Sequence, residues 1–141
     1  FCAYAMITTP ESELSLYQTM PHFDTLEGPQ LAALHYLCSD TCLGTGFYRH
    51  RKTGYESVNE SRWGAYKKQI EDESSATVLP KSYIRDSHPQ FEQIKEYPAC
   101  FNRLLIYPGD ALHSGLVPAG FTPPKTVAEG RLTLISFISF Y

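Results

Sequence analysis

Apolar and polar positions set the element pattern. Leu31 to Cys38 is a nearly continuous apolar run and predicts a strand, closed by a turn at Ser39-Asp40-Thr41. Thr45 to Arg51 predicts the next strand, closed at Lys52-Thr53-Gly54, and the two are expected to pair through the loop containing Gly44. Leu14, Leu16 and Gln18 alternate with Ser15 and Tyr17, which predicts a short strand after a turn or helical start at Pro10 to Glu13. Asn102 to Tyr107 predicts a buried strand, Pro108-Gly109-Asp110 a turn, and His113 to Val117 a further short strand. Arg131 to Tyr141 predicts the last strand, offering Leu132, Leu134 or Ile135, Phe137 and Phe140 to a core. Phe91 to Tyr97 is compatible with a strand or a short helix.

One stretch breaks this rhythm. Ser61 to Ser75 is polar, with Trp63, Tyr66 and Ile70 at helical spacing, and predicts one helix with a narrow apolar stripe. Pro80 and His88-Pro89 predict an irregular path after it. Residues 57–90 therefore read as an insertion or lid over an edge or the mouth of the main fold. Many short strands with one helix predict a single, mainly β domain over residues 1–141, an antiparallel sandwich or barrel.

Composition adds limits. The aromatic fraction of 13% suits pleated surfaces, and the net charge of −3 gives no electrostatic case for nucleic acid. No run approaches the length of a membrane span, and the start lacks the basic region of a signal peptide, so a cytoplasmic location is expected. The chain starts at Phe1 rather than Met, which reads as a trimmed domain or a fragment. Cys2, Cys38, Cys42 and Cys100 lack paired metal-type spacing and read as reduced, buried or half-buried thiols.

The candidate chemistry begins at Pro21-His22-Phe23-Asp24. In an extended chain residues i and i+2 leave the backbone on one face, so His22 and Asp24 stand side by side. His113 completes a two-His, one-carboxylate set, the facial arrangement that leaves open positions on a non-haem Fe(II). Arg131, on the last predicted strand, is a fixed cation able to hold a carboxylate. Each residue alone has an ordinary reading: Asp24 as a turn cap, His113 as a structural histidine, Arg131 as a salt-bridge residue. Order, spacing and strand context together favour a metal site.

His22-x-Asp24, His113 and Arg131-x-Thr133 on a final strand resemble the Fe(II)/2-oxoglutarate-dependent dioxygenases, in their prolyl-hydroxylase-like branch. Asn102 to Gly109 running into His113 looks like that group's strand before its distal histidine. Leu34 to Leu37 followed by Gly44-x-Gly46-Phe47 resembles its strand pair after the metal motif. More narrowly, the chain is similar to the DUF6445 type, over roughly residues 14–56 and 91–141. The resemblance implies a double-stranded β-helix (jelly roll) with one inserted helical segment. It implies Fe(II) on His22, Asp24 and His113. It also implies 2-oxoglutarate as cosubstrate on Arg131, with Thr133 and, more loosely, Tyr36 or Tyr17 assisting, and O2 as oxidant. Because Asp24 is present, hydroxylation is favoured over halogenation. The substrate is expected to be a small molecule or an amino-acid or peptide side chain, with Arg49 and His35 as further candidates to contact it. Two other functions stay open: a cupin-like metalloenzyme without 2-oxoglutarate, and a catalytically idle binding module.

Overall fold

The computed structural model describes residues 1–39, 44–76 and 81–140. Seven strands and one α-helix are found among them: β1 (Cys2–Ala5), β2 (Gln30–Tyr36), β3 (Thr45–His50), α1 (Glu60–Ala76), β4 (Phe91–Tyr97), β5 (Leu104–Pro108), β6 (His113–Gly115) and β7 (Thr133–Ser139). They form two antiparallel sheets, a four-stranded one in the order β1-β7-β2-β5 and a three-stranded one in the order β4-β3-β6. An isolated bridge, His22 opposite His113, adds a short rung beside β6.

The pairings are nested. β3 pairs with β4, β2 with β5, the His22 segment with the start of β6, and β1 with β7. The chain therefore behaves as one long antiparallel ribbon folded over on itself. The pairs β2 with β7 and β3 with β6 stitch the folded ribbon into two sheets.

Two apolar clusters hold the layers. Between the sheets lie Ala32, Leu34, Tyr36 and Tyr107, with Phe47, Ile135 and Phe137 against them. Tyr48, the residue after Phe47, instead joins Tyr66, Ile70, Phe91, Val58 and Leu112. Adjacent strand residues point to opposite faces, so α1 covers the outer face of the three-stranded sheet. Its stripe is the one expected at Trp63, Tyr66 and Ile70. His50, fully buried, anchors the same contact through a 3.0 Å hydrogen bond to Glu73 of α1.

Several expectations are corrected. Residues 14–18 form no strand: 3-10 turns occupy Glu11–Glu13 and Leu16–Thr19. Ser15 and Gln18 close a capping box there, and that local bonding prevails over the alternation. β2 and β3 do not pair with each other, because both edges of β2 are taken by β5 and β7. β5 is not a buried strand; it lies at a sheet edge, with Leu104 and Ile106 52% and 59% exposed and only Leu105 and Tyr107 turned inward. On β7, Ile135 and Phe137 face the core while Phe140, beyond the strand, is exposed. Phe91–Tyr97 resolves as strand. Cys2 is exposed, unlike buried Cys38 and half-buried Cys100. Asp40, Thr41, Cys42 and Pro80 lie outside the described residues. No helix among the described residues is long and apolar enough to cross a membrane.

Candidate metal centre

The bridge between His22 and His113 builds the site. Each backbone N–H of the pair donates to the other's carbonyl at 2.8 Å. Residues directly opposite in an antiparallel pair bring their side chains together, and the two imidazole centroids lie 4.3 Å apart. Asp24 follows two residues on. Its backbone N–H donates to the Gly109 carbonyl at 2.7 Å, which ties it to the turn between β5 and β6. Its carboxylate therefore comes up beside both rings. Asp24 Oδ1 is 3.8 Å from His22 Nε2, and Oδ2 is 3.7 Å from His113 Nε2. One ligand atom from each of the three residues lies within 4.8 Å of the others.

The donor set suits a divalent cation. Asp24 Oδ2 is buried and has no hydrogen-bond partner, an arrangement that costs free energy unless a cation or water satisfies it. His113 Nδ1 is 2.9 Å from the Ala111 carbonyl. The hydrogen on that nitrogen leaves Nε2 with a lone pair towards Asp24, the second-sphere pattern of metal-bound histidines. Burial holds His113 down at about 4, with Arg131 adding in the same direction against the Ala111 hydrogen bond. Desolvation and then His113 lower His22 as well, against the pull of Asp24, while its side chain stays 55% exposed. Burial raises the Asp24 carboxyl, against the pull of His22. Both imidazoles are thus neutral near pH 7, the form that binds metal.

A cavity of about 510 Å³ opens from His22 and contains Arg131, Thr133, Ser114 and Tyr17 in its wall. That volume is in the range of small-molecule sites. The Arg131 guanidinium is fixed by Nη2 donating to the Gly44 carbonyl at 3.1 Å and to Thr45 Oγ1 at 3.0 Å, with its Cζ 5.1 Å from the centre of the Tyr36 ring. Gly44 must be glycine, since a Cβ there would collide with the Tyr97 carbonyl.

The other sequence candidates divide. Tyr17 is exposed at the cavity wall. Thr133 lines the cavity but is almost fully buried, and its hydroxyl donates to the Ala5 carbonyl at 3.4 Å. Tyr36 lies beneath Arg131 and outside the cavity lining; it is fully buried with its hydroxyl 2.6 Å from Thr45 Oγ1. His35 and Arg49 do not line the cavity either. His35 is adjacent to Tyr36 on β2, hence on the opposite face, where it meets Asn102 Oδ1 at 2.8 Å. Arg49 is paired with Glu56 and Glu92.

Sequence reading missed Tyr107. Its hydroxyl is 3.2 Å from His113 Nε2, and burial followed by the Asp24 charge keeps it protonated. The available signal was the inward phase of a strand running straight into the histidine turn.

Two sheets built by a nested antiparallel ribbon, with a helix on one face and a His-Asp-His cluster at a cavity, define a mainly β protein with a candidate metal centre. Residues 1–138 match the family of unknown function DUF6445, and the chain belongs to that family. No curated protein and no solved structure matches it.

Proposed function

We propose that the chain is an Fe(II)/2-oxoglutarate-dependent oxygenase on a double-stranded β-helix, hydroxylating a small molecule or an amino-acid or peptide side chain. The observation that carries this reading is the convergence of His22, Asp24 and His113 on one point beside a cavity that also holds Arg131. The nested ribbon of strands supports the jelly-roll topology, since a jelly roll is such a ribbon wrapped into two sheets.

In this reading His22 Nε2, Asp24 and His113 Nε2 would hold iron, their donor atoms already lying within 4.8 Å of one another. When iron and 2-oxoglutarate are bound they supply the oxidation: one oxygen atom of O2 enters a substrate C–H bond, the other enters succinate, and CO2 leaves. The chain's own work is positioning. Arg131 presents a permanently charged fork to the distal carboxylate of the cosubstrate. Gly44, Thr45 and Tyr36 keep that fork from swinging.

The test is turnover without a primary substrate. Purified protein with Fe(II), O2 and 2-oxoglutarate is expected to release succinate slowly, and Asp24→Ala to release none above the protein-free rate. Metal binding without any succinate would favour a cupin-like metalloenzyme that uses no keto acid. No metal binding at all would favour an idle binding module.

A further inference from the structure

His22 has a second side. Adjoining the polar cavity, between the His22 segment and α1, lies a slot of about 190 Å³. Its walls are Met20, Phe23, Trp63, Tyr66 and Ile70. The three aromatic rings meet edge-on or tilted, with centroids 5.7 to 6.4 Å apart. Lys67 and Glu71 stand at its rim, both exposed on α1 and 3.9 Å from each other. His22, Met20 and Tyr17 belong to both spaces.

Large side chains flank a volume comparable with apolar cavities of about 150 Å³ that accept benzene, and the slot opens to solvent at Lys67 and Glu71. Met20, Pro21, Phe23 and Ile70 make much of the wall apolar, His22 and Tyr17 bring polar atoms where it meets the other cavity, and Lys67 and Glu71 offer either charge at the rim to the polar end of a ligand. The slot is also set apart from Arg131, which lines the polar cavity but not the slot.

We infer that this slot, between the His22 segment and α1, receives a compact apolar group of the substrate, aryl or branched alkyl, of a small molecule whose polar end lies at Lys67 and Glu71. The inference rests on the proposed oxygenase reading for the role of the ligand as substrate. The binding itself does not depend on metal.

Trp63 is the only tryptophan in the chain, so its fluorescence reports the slot directly. Metal-free protein titrated with toluene is expected to give a saturable change. Lys67→Phe and Glu71→Phe, both at exposed helix positions, are expected to close the mouth and weaken toluene binding by at least about tenfold. An unsaturable response, an affinity unchanged in both variants, or tighter binding of tetramethylammonium than of toluene would each overturn the slot. A second arm places it beside the metal. With Mn(II) bound at the cluster, the fluorine signal of 4-fluorotoluene in the slot is expected to relax much faster than in protein without Mn(II). Bound Mn(II) with no such enhancement overturns the substrate role. Failure of Mn(II) to bind overturns the oxygenase reading and that role with it, while the toluene titration still decides whether the slot binds.

Discussion

The Tyr107 hydroxyl lies 3.2 Å from His113 Nε2, the nitrogen that a metal would need. Because His113 Nδ1 faces the Ala111 carbonyl, Nε2 is the acceptor and Tyr107 the donor. A cation entering the cluster displaces that hydrogen bond. Tyr107→Phe removes the competitor and leaves Nε2 unpaired in the metal-free protein. The variant is expected to lose about 1 kcal/mol of metal-free stability and to bind Mn(II) roughly two- to tenfold more tightly. Urea unfolding and calorimetric titration measure the two effects. Weaker Mn(II) binding would show instead that Tyr107 supports the loaded site.

Asp24 makes the metal-free protein pH-sensitive. Its folded-state pKa is raised by burial, so the folded state holds a proton that the unfolded chain has released. The penalty is absent below the unfolded value near 3.8, grows as pH rises through the folded value, and is complete above it. Asp24→Asn removes the ionisation. With EDTA present the variant is expected to be more stable than the parent at pH 7, by about 1 kcal/mol, with the gap closing towards pH 4. Added Mn(II) reverses the order, since only the parent gains binding energy. A variant less stable than the parent at pH 7 in EDTA would contradict the unsatisfied carboxylate.

One buried pair reinforces the apolar attachment of α1. His50 Nε2 and Glu73 Oε2 are 3.0 Å apart, 0% and 7% exposed, whereas Lys52, which also reaches Glu73, is 61% exposed. Glu73→Ala leaves His50 Nε2 buried without its hydrogen-bond partner and is expected to cost about 2 kcal/mol. Lys52→Ala is expected to cost less than about 1 kcal/mol. Chemical denaturation of the two variants separates them, and equal losses would mean the buried pair does not reinforce that attachment.

Arg131 is expected to be specific for its guanidinium. Arg131→Lys keeps the charge but loses the planar fork and much of the stacking on Tyr36. Mn(II) affinity is expected to stay within about twofold, and the Kd of 2-oxoglutarate for the Mn(II)-loaded protein to rise at least about tenfold, the loss of one charge-assisted hydrogen bond. An unchanged Kd would remove Arg131 from cosubstrate binding.

The site was more legible in the sequence than its supports. His22 and Asp24 share a face because two extended residues apart always do, and that rule needs no tertiary information. The stripe of α1 was readable for the same reason. Strand partners were not: the apolar run of β2 says that both faces are covered, but not that β5 and β7 flank it. β5 shows the limit in another way. Leu104 and Ile106 read as core residues, yet they lie on an edge strand and face outward. Residues 14–18 alternate like a strand but close into a 3-10 turn through Ser15 and Gln18, a bond between side chain and backbone that hydropathy does not register. The slot at Trp63 depends on which surfaces meet, so no local pattern reveals it.

The central claim is that His22, Asp24, His113 and Arg131 together hold Fe(II) and 2-oxoglutarate. Anaerobic titration of the protein with Fe(II) and then 2-oxoglutarate tests it most directly. A weak visible charge-transfer band is expected that saturates near one equivalent of iron and is missing in His113→Ala. Tight Fe(II) binding with no band on adding 2-oxoglutarate would contradict the cosubstrate assignment, and no Fe(II) binding by the intact protein would contradict the metal centre itself.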